Sequence, residues 1–467
     1  MSQRSLIHRE GTFWPMMAVA TPVLVESSLA MLVGQTDLWI TGHVLKEARY
    51  IAAIGIMSYV MWFIPNIFSA IAIGATALVS RHTGAEDHHQ ANHFTNQAIL
   101  VGFCLALGIT AVAYFGHGTF FGLIQLNDEI TPLATEYLFY IIPIIPLIML
   151  EQVGIACLRG AGDILSGFSI MALVNIINAL LSLALATGWA FFPEMGWAGI
   201  AIGTAVGHGV GGILTIAILL RGRAQQRLTR PLLRYSKDHI RRLMRVGLPG
   251  GIDIGILMTC QFAFVALINH LGTDSTAAHM TAIRIESIAY LPGTAFYIAA
   301  SNLTGQYLGA KEFAKAKKSA LMALWVGGGQ MVFAGICFYF AADYLVDFFL
   351  GNEGSARTKE LAAPLLRIVA YSMPSLALAM IFTGALRGAG DTHWPMIFTS
   401  IGFLAIRLPL TLWLAWEEIP VPLTDMTLTG WNIGVAGAWY AMTTDLIIRS
   451  ILITWRFLHG GWQHTKV

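Results

Sequence analysis

Charge is what this chain has least of. Lysine, arginine, aspartate and glutamate make up 12% of its 467 residues, against about 25% in soluble domains. A chain so poor in charge cannot cover a globule with polar surface, so it is read as crossing a bilayer many times. Cysteine is scarce as well. Cys104, Cys157, Cys260 and Cys337 sit in or beside apolar runs. They lack disulfide or zinc spacing and read as small apolar side chains. A Walker motif, Gly-x-Ser-x-Gly and His-Glu-x-x-His are all missing, so nothing marks ATP use, acyl transfer or a zinc protease. No enzyme activity, cofactor, metal site or nucleic-acid partner is expected. Residues 1–12 are polar and the apolar run behind them is too long for a signal-peptide core, so no cleavable signal is expected.

What is present is a repeat. Leu158-Arg159-Gly160-Ala161-Gly162-Asp163 returns as Leu386-Arg387-Gly388-Ala389-Gly390-Asp391. Each copy lies between two apolar runs, as a tight polar elbow between helices. The remaining pairs keep nearly the same separation: Pro22 with Pro249, Glu26 with Asp253, His43 with His270. One six-helix unit has been duplicated. Runs of about 20 apolar residues, ended by charges or Gly/Pro clusters, give twelve spans. The expected fold is therefore an all-α membrane protein of two pseudo-symmetric six-helix bundles: a lobe over 1–220, a basic linker over 221–242 and a lobe over 243–467. Six is even, so both copies enter the bilayer alike. That is a parallel repeat, with a substrate site expected between the halves.

Basic residues set the orientation. One alternating set of loops and termini holds Arg4, Arg9, Arg81, Arg159, Arg387, Arg456, Lys466, the run Lys311, Lys315, Lys317, Lys318, and nine basic residues from Arg221 to Arg245. The other set holds Lys46, Arg49, Arg357 and Lys359, mixed with Asp128, Glu129, Glu353, Glu417, Glu418 and Asp425. Both termini and the linker are expected in the cytoplasm, the chain being a multi-pass protein of the cell's inner membrane. The linker reads as a solvated topological signal.

A charge at mid-bilayer costs roughly 2.5–3.5 kcal/mol and needs a partner, water or a task. Asp37 and Glu26 share one face of the first helix, about 16 Å apart. Burial penalises a carboxylate's charge, so Asp37 is expected to take a proton from outside and cease to attract a cationic substrate. Glu26 has two readings: a coupling acid, or a partner for backbone groups freed by Pro22, as Asp253 would be beside Pro249. Pro22 is a candidate hinge. Asn175 and Asn178 share a side of helix 5 and either support a protonation site or hold helices together. Asp253 and Glu286 are candidates for the substrate cleft, Glu286 alternatively for a structural pair. Asp445 and Arg449 are spaced to pair with each other, Arg407 is expected to neutralise an acid, and Glu151 has no evident partner. The elbows read first as structure, with arginine and aspartate capping helix ends. His89 and His93 have metal-ligand spacing, but nothing completes a site.

Together Asp37-Leu38-Trp39-Ile40-Thr41-Gly42-His43, the doubled elbow, Gly305-Gln306-Tyr307-Leu308-Gly309-Ala310 and Arg407-Leu408-Pro409 resemble the MATE (multidrug and toxic compound extrusion) transporters of the MOP flippase superfamily. The resemblance covers essentially the whole chain. It implies a V of two bundles exporting cationic or amphipathic compounds against inward H+ or Na+ flow. The acids that the NorM-type branch carries in helices 7 and 10 fall here on Leu257 and Leu376. The Asn-plus-acid pair of the DinF-type branch falls on Asn175 and Ala179, with Asn178 beside it. Asp37 matches both branches. The resemblance therefore favours H+ over Na+ and leaves the branch open. A monomer in the lipid bilayer, acting on small-molecule drugs or metabolites, is expected. The alternatives are a lipid-linked saccharide flippase and, from other classes, a polytopic membrane enzyme or a sensor.

Overall fold

In lipid a backbone must bond to itself, so the long apolar runs close into helices. The computed structural model describes residues 11–123, 126–189, 191–351, 355–420 and 427–465. Arg4, Arg9, Glu353, Asp425 and Lys466, used above for orientation, lie outside them.

The first lobe contains α1 (Phe13–Ile40), α2 in two segments (Ala48–Ile67 and Ser69–Gly84), and α3 (His88–Leu123). It continues with α4 (Thr131–Ile141 and Ile145–Gly160), α5 (Ile164–Thr187) and α6 (Trp197–Arg221). The second contains α7 (Lys237–Asn269), α8 (Thr273–Gly309), α9 (Phe313–Ala323 and Gly329–Phe340, joined by a π turn), and α10 (Ala356–Gly388). It ends with α11 (His393–Ser400 and Leu408–Ala415, around the π turn Ile401–Arg407) and α12 (Val435–His459). Among the described residues ten helices are long and apolar enough to cross a membrane. The two that complete the twelve, α8 and α12, are the ones carrying Arg284 and Glu286, and Asp445 and Arg449. A two-stranded hairpin, Glu418–Pro420 with Thr427–Thr429, adds a small β element between α11 and α12.

The two elbows are built alike. Asp163 N–H donates to the Leu158 carbonyl at 2.8 Å and Asp391 N–H to that of Leu386 at 2.9 Å. Gly162 (φ 90°) and Gly390 (φ 83°) occupy the left-handed region that a side chain would strain. Asp163 then caps α5, accepting from Ser166 N–H at 3.3 Å.

The lobes share a core at one end only. Met16, Val19, Ala20 and Val23 of α1 pack with Ala295, Phe296, Ala299 and Leu303 of α8, in a cluster otherwise built mainly from second-lobe side chains such as Phe382 and Phe457. Val33, further along α1, packs on Ile155, Ile170 and Val174 of its own lobe. The first helix therefore straddles the two lobes, with Pro22 inside an unbroken helical stretch near the change of partner.

At this shared end the second helix of each lobe reaches the elbow of the other. Gln306 donates to the Gly160 carbonyl at 3.1 Å, and Arg81 donates to the carbonyls of Ala389 at 3.4 Å and Thr465 at 2.9 Å. Glycines permit the approach. Gly84 lies on the Gln306 backbone, Gly309 on the Arg81 carbonyl, and Gly305 on Ser80.

The linker departs from expectation. Its arginines 221, 227, 230 and 234 are exposed, but its backbone is stitched to the start of α3. Asn92 accepts from Arg227 N–H at 2.7 Å, Asn96 donates to the Arg227 carbonyl at 2.9 Å, and Gln97 donates to those of Leu232 at 2.6 Å and Arg234 at 2.7 Å. α7 also starts at Lys237, inside the stretch read as linker. The histidines of the second loop are partly packed rather than simply solvated: the His93 ring lies 3.7 Å from that of His239.

The glycine contacts at the shared end generate a test. Leucine at Gly84 or Gly309 overpacks the junction by about 1–3 kcal/mol, enough for roughly tenfold more opening. In a cysteine-free background, a cysteine placed at Asn302 should then label correspondingly faster from that side. An unchanged labelling rate would show that these contacts do not hold the lobes together.

Candidate functional site

Between the lobes, beyond the shared core, lies a cavity of about 750 Å³. α1, α2, α4 and α6 wall one side; Ile254, Thr294, Tyr297, Asn302 and Arg387 contribute from the other lobe. Among the described residues lining it, Asp37 is the one acid, while Arg159, His208 and Arg387 are the basic groups.

Asp37 is 3% exposed. Three neutral donors converge on its carboxylate: Thr204 Oγ1 at 2.6 Å and Tyr137 OH at 3.3 Å on Oδ2, and Asn178 Nδ2 at 3.0 Å on Oδ1. Asn178 and Thr204 are themselves 2.9 Å apart. A row of glycines makes this possible. Gly199, Gly203, Gly207 and Gly211 recur at one-turn intervals on α6 and face Leu185, Ser182, Val174 and Glu151. Without Cβ atoms there, α5 and α6 approach closely enough for their polar groups to meet. Such an acid has hydrogen bonds that stabilise its anion and a burial that penalises it, with no cation bonded to it.

Asn175 does not join this cluster. Its amide donates to the Met171 carbonyl one turn back, at 2.9 Å. The residue of the pair that reaches the acid is Asn178.

Glu26 and Asp253 meet the elbow arginines of their own lobes rather than backbone freed by the prolines. Glu26 pairs with Arg159 at 3.5 Å, and Asp253 pairs with Arg387, which also donates to Tyr297 OH at 2.6 Å. The acids sit behind while their arginines line the cavity. Asp253 is therefore corrected from a cleft residue to the counter-ion of one. Glu286 is likewise buried away from the cavity lining, under the electrostatic influence of Arg407. Arg407 and Arg449 both bond Asp445, at 2.7 Å and 2.8 Å. At the far side of each elbow, Asp163 meets Arg223 at 2.6 Å and Asp391 meets Arg456 at 2.8 Å. Burial raises the Asp391 carboxyl above its ordinary range and Arg456 pulls it back.

Glu151, which has no evident partner in the sequence, accepts from His208 Nδ1 at 3.0 Å. Tyr137, Thr204 and His208 were not singled out by sequence reasoning. The glycine row on α6 and a histidine inside a span were the available signals. Among the described residues no group of three His, Cys, Asp or Glu side chains is placed to hold a metal ion.

A family model described as MatE matches residues 22–184 and again 252–413, one match in each lobe. A Thermotoga maritima relative, "Probable multidrug resistance protein NorM", is 27% identical over 97% of this chain and 93% of its own. "Multidrug resistance protein NorM" of Burkholderia vietnamiensis is 24% identical over 94% of this chain and 92% of its own. A solved structure described as the outward-facing conformation of a multidrug resistance MATE family transporter of the MOP superfamily superposes with a TM-score of 0.87. It covers 100% of this chain and 99% of its own at 18% identity, and so is alike in fold.

The buried pairs predict unequal costs. Arg387→Leu leaves Asp253 buried without its counter-ion and should cost about 3–5 kcal/mol. The thermal midpoint in detergent should drop by many degrees, and Asp253→Leu added to it should restore most of the loss. Arg357→Leu, which breaks an exposed pair with Glu360, should leave the midpoint nearly unchanged. Equal effects of the two single substitutions would contradict the assignment.

Proposed function

The chain belongs to the MatE family, and on that premise we propose that it exports cationic or amphipathic organic compounds in exchange for protons. The observation that carries the reading is Asp37: a buried carboxylate facing the inter-lobe cavity, held by neutral donors only. An ion pair would fix its charge. Neutral donors leave it free to exchange a proton for a cation. As an anion it attracts the positive part of a substrate; protonated, it releases it.

Aromatic and methionine side chains suit varied amphipathic bodies: Met31, Met61, Trp62, Tyr137, Met171 and Tyr297 line the cavity. Protons supply enough drive. About 2.3 kcal/mol per 100 mV and about 1.4 kcal/mol per pH unit support a several-hundred-fold substrate gradient per proton.

With the basic loops assigned to the cytoplasm by the positive-inside rule, the shared core would lie at the cytoplasmic end and the cavity would open outward. Rocking the lobes about that core would expose Asp37 to each side in turn. Helix α7 carries Leu257 and α10 carries Leu376 where the NorM-type branch has acids, which favours H+ over Na+.

A second reading has one observation behind it. Arg159 and Arg387 both line the cavity, and arginine suits the phosphate of a lipid-linked saccharide.

Proteoliposomes separate these readings. Ethidium uptake should follow an imposed pH gradient and ignore an imposed Na+ gradient. Asp37→Asn should lower gradient-driven uptake at least tenfold. Wild-type uptake and pH dependence in that variant would refute the coupling role. Translocation of an anionic lipid-linked saccharide, without ethidium transport, would favour the flippase.

A further inference from the structure

A second ionisable pair stands in the first lobe. His208 lies one turn beyond Thr204 on α6, so both point to the same face of the helix. Thr204 bonds Asp37; His208 lines the same cavity. Its Nδ1 is 3.0 Å from Glu151 Oε2, and a carboxylate there makes Nδ1 the protonated nitrogen, leaving Nε2 as the acceptor. Glu151 is fully buried, and its Oε1 has no hydrogen-bond partner among the described residues. The close approach of Gly211 leaves room for this carboxylate; a Cβ there would meet Oε2 at 2.7 Å.

The groups around the imidazole are few. From α4 they are Glu151 and Tyr137, with Arg159 nearer the shared core. From α1 they are Asp37, with Glu26 nearer the shared core. α5 carries no titratable side chain between Ile164 and Thr187. In the turn after α1, His43 is occupied with the Trp39 carbonyl at 3.0 Å. His208 feels the charges of Glu151 and Asp37. The first lobe thus holds polar stations in order along the bilayer normal: Asp37, then His208 with Glu151, then Glu26 with Arg159. In the second lobe Asp445 is bonded by two arginines, and Glu286 lies buried under the influence of Arg407.

We propose that His208, backed by Glu151, is a second proton-binding site of the transport cycle, facing the cavity one helical turn below Asp37. The proposal rests on proton coupling at Asp37. Nε2 takes a proton from cavity solvent: an N–H bond forms as the O–H bond of the donor breaks, and the imidazole becomes a cation with Glu151 as its counter-ion. That positive charge favours the Asp37 carboxylate, so a proton on His208 and a proton on Asp37 oppose each other. One proton held between the two sites then sets where in the cavity a cationic substrate can rest: with the proton on His208, Asp37 is an anion that holds the cation while the imidazolium keeps it from the deeper position; with the proton on Asp37, the cation is released. Glu151 is a positioning residue that holds the ring and its charge.

The test uses the full chain in proteoliposomes with ethidium. His208→Gln retains a hydrogen-bonding side chain but cannot become a cation. Its thermal midpoint in detergent should stay close to that of wild type, showing a folded protein. Its uptake under an imposed pH gradient should fall about tenfold, and the pH dependence of ethidium binding should flatten to a single transition. Glu151→Gln keeps a bonding partner for the ring and removes the counter-charge, so the transition lost in His208→Gln should instead move to lower pH. Wild-type pH profiles in both variants, with normal proton drive in the wild type, would overturn the role of His208 alone. Absence of proton drive in the wild type would overturn the coupling reading on which it rests.

Discussion

A buried charge in an apolar phase has to be matched, and this constraint orders the whole interior. In each lobe the arginine of the elbow reaches the acid one turn past the proline of the lobe's first helix: Arg159 to Glu26, Arg387 to Asp253. The aspartate of the same elbow reaches an arginine at or just past the end of the last helix: Asp163 to Arg223, Asp391 to Arg456. Four residues thus tie the first, middle and last helices of a bundle at one end. The conserved geometry of the turn, with a left-handed glycine in both copies, lets arginine and aspartate face opposite ways.

Against that background Asp37 is the exception. Its partners are a phenol, an amide and a hydroxyl. A group matched by dipoles rather than by a full charge can lose its proton or regain it without leaving an orphaned ion behind. In the second lobe Arg407 and Arg449 instead share one aspartate, Asp445. Duplication supplied the frame twice, and later divergence left an acid without a bonded cation lining the cavity in one half.

The mechanical consequence follows from where the apolar clusters lie. Each lobe has a core of its own, and a further cluster joins the first half of α1 to second-lobe helices beside the elbow of that lobe. α1 contributes to that cluster with its first half and carries Asp37 near its far end. A change at the acid is therefore built into the same rigid rod that joins the lobes. The linker is bonded along the start of α3 and so is packed as part of the first lobe.

The sequence by itself determined the twelve-helix duplicated plan, because long uncharged runs admit one backbone solution in lipid and an exact hexapeptide repeat has one simple origin. It also singled out Asp37, since an acid in such a run is costly. What it could not specify was partnership. The choice of Asn178 over Asn175, the meeting of Glu151 with His208, and the withdrawal of Asp253 behind Arg387 depend on how helices distant in sequence are rotated and spaced. Those rotations come from packing across the fold, from the α6 glycines against α5 and from α1 wedged between two lobes. A hydrophobic pattern along one chain reports how deep a side chain sits, and only the packed bundle decides what it faces.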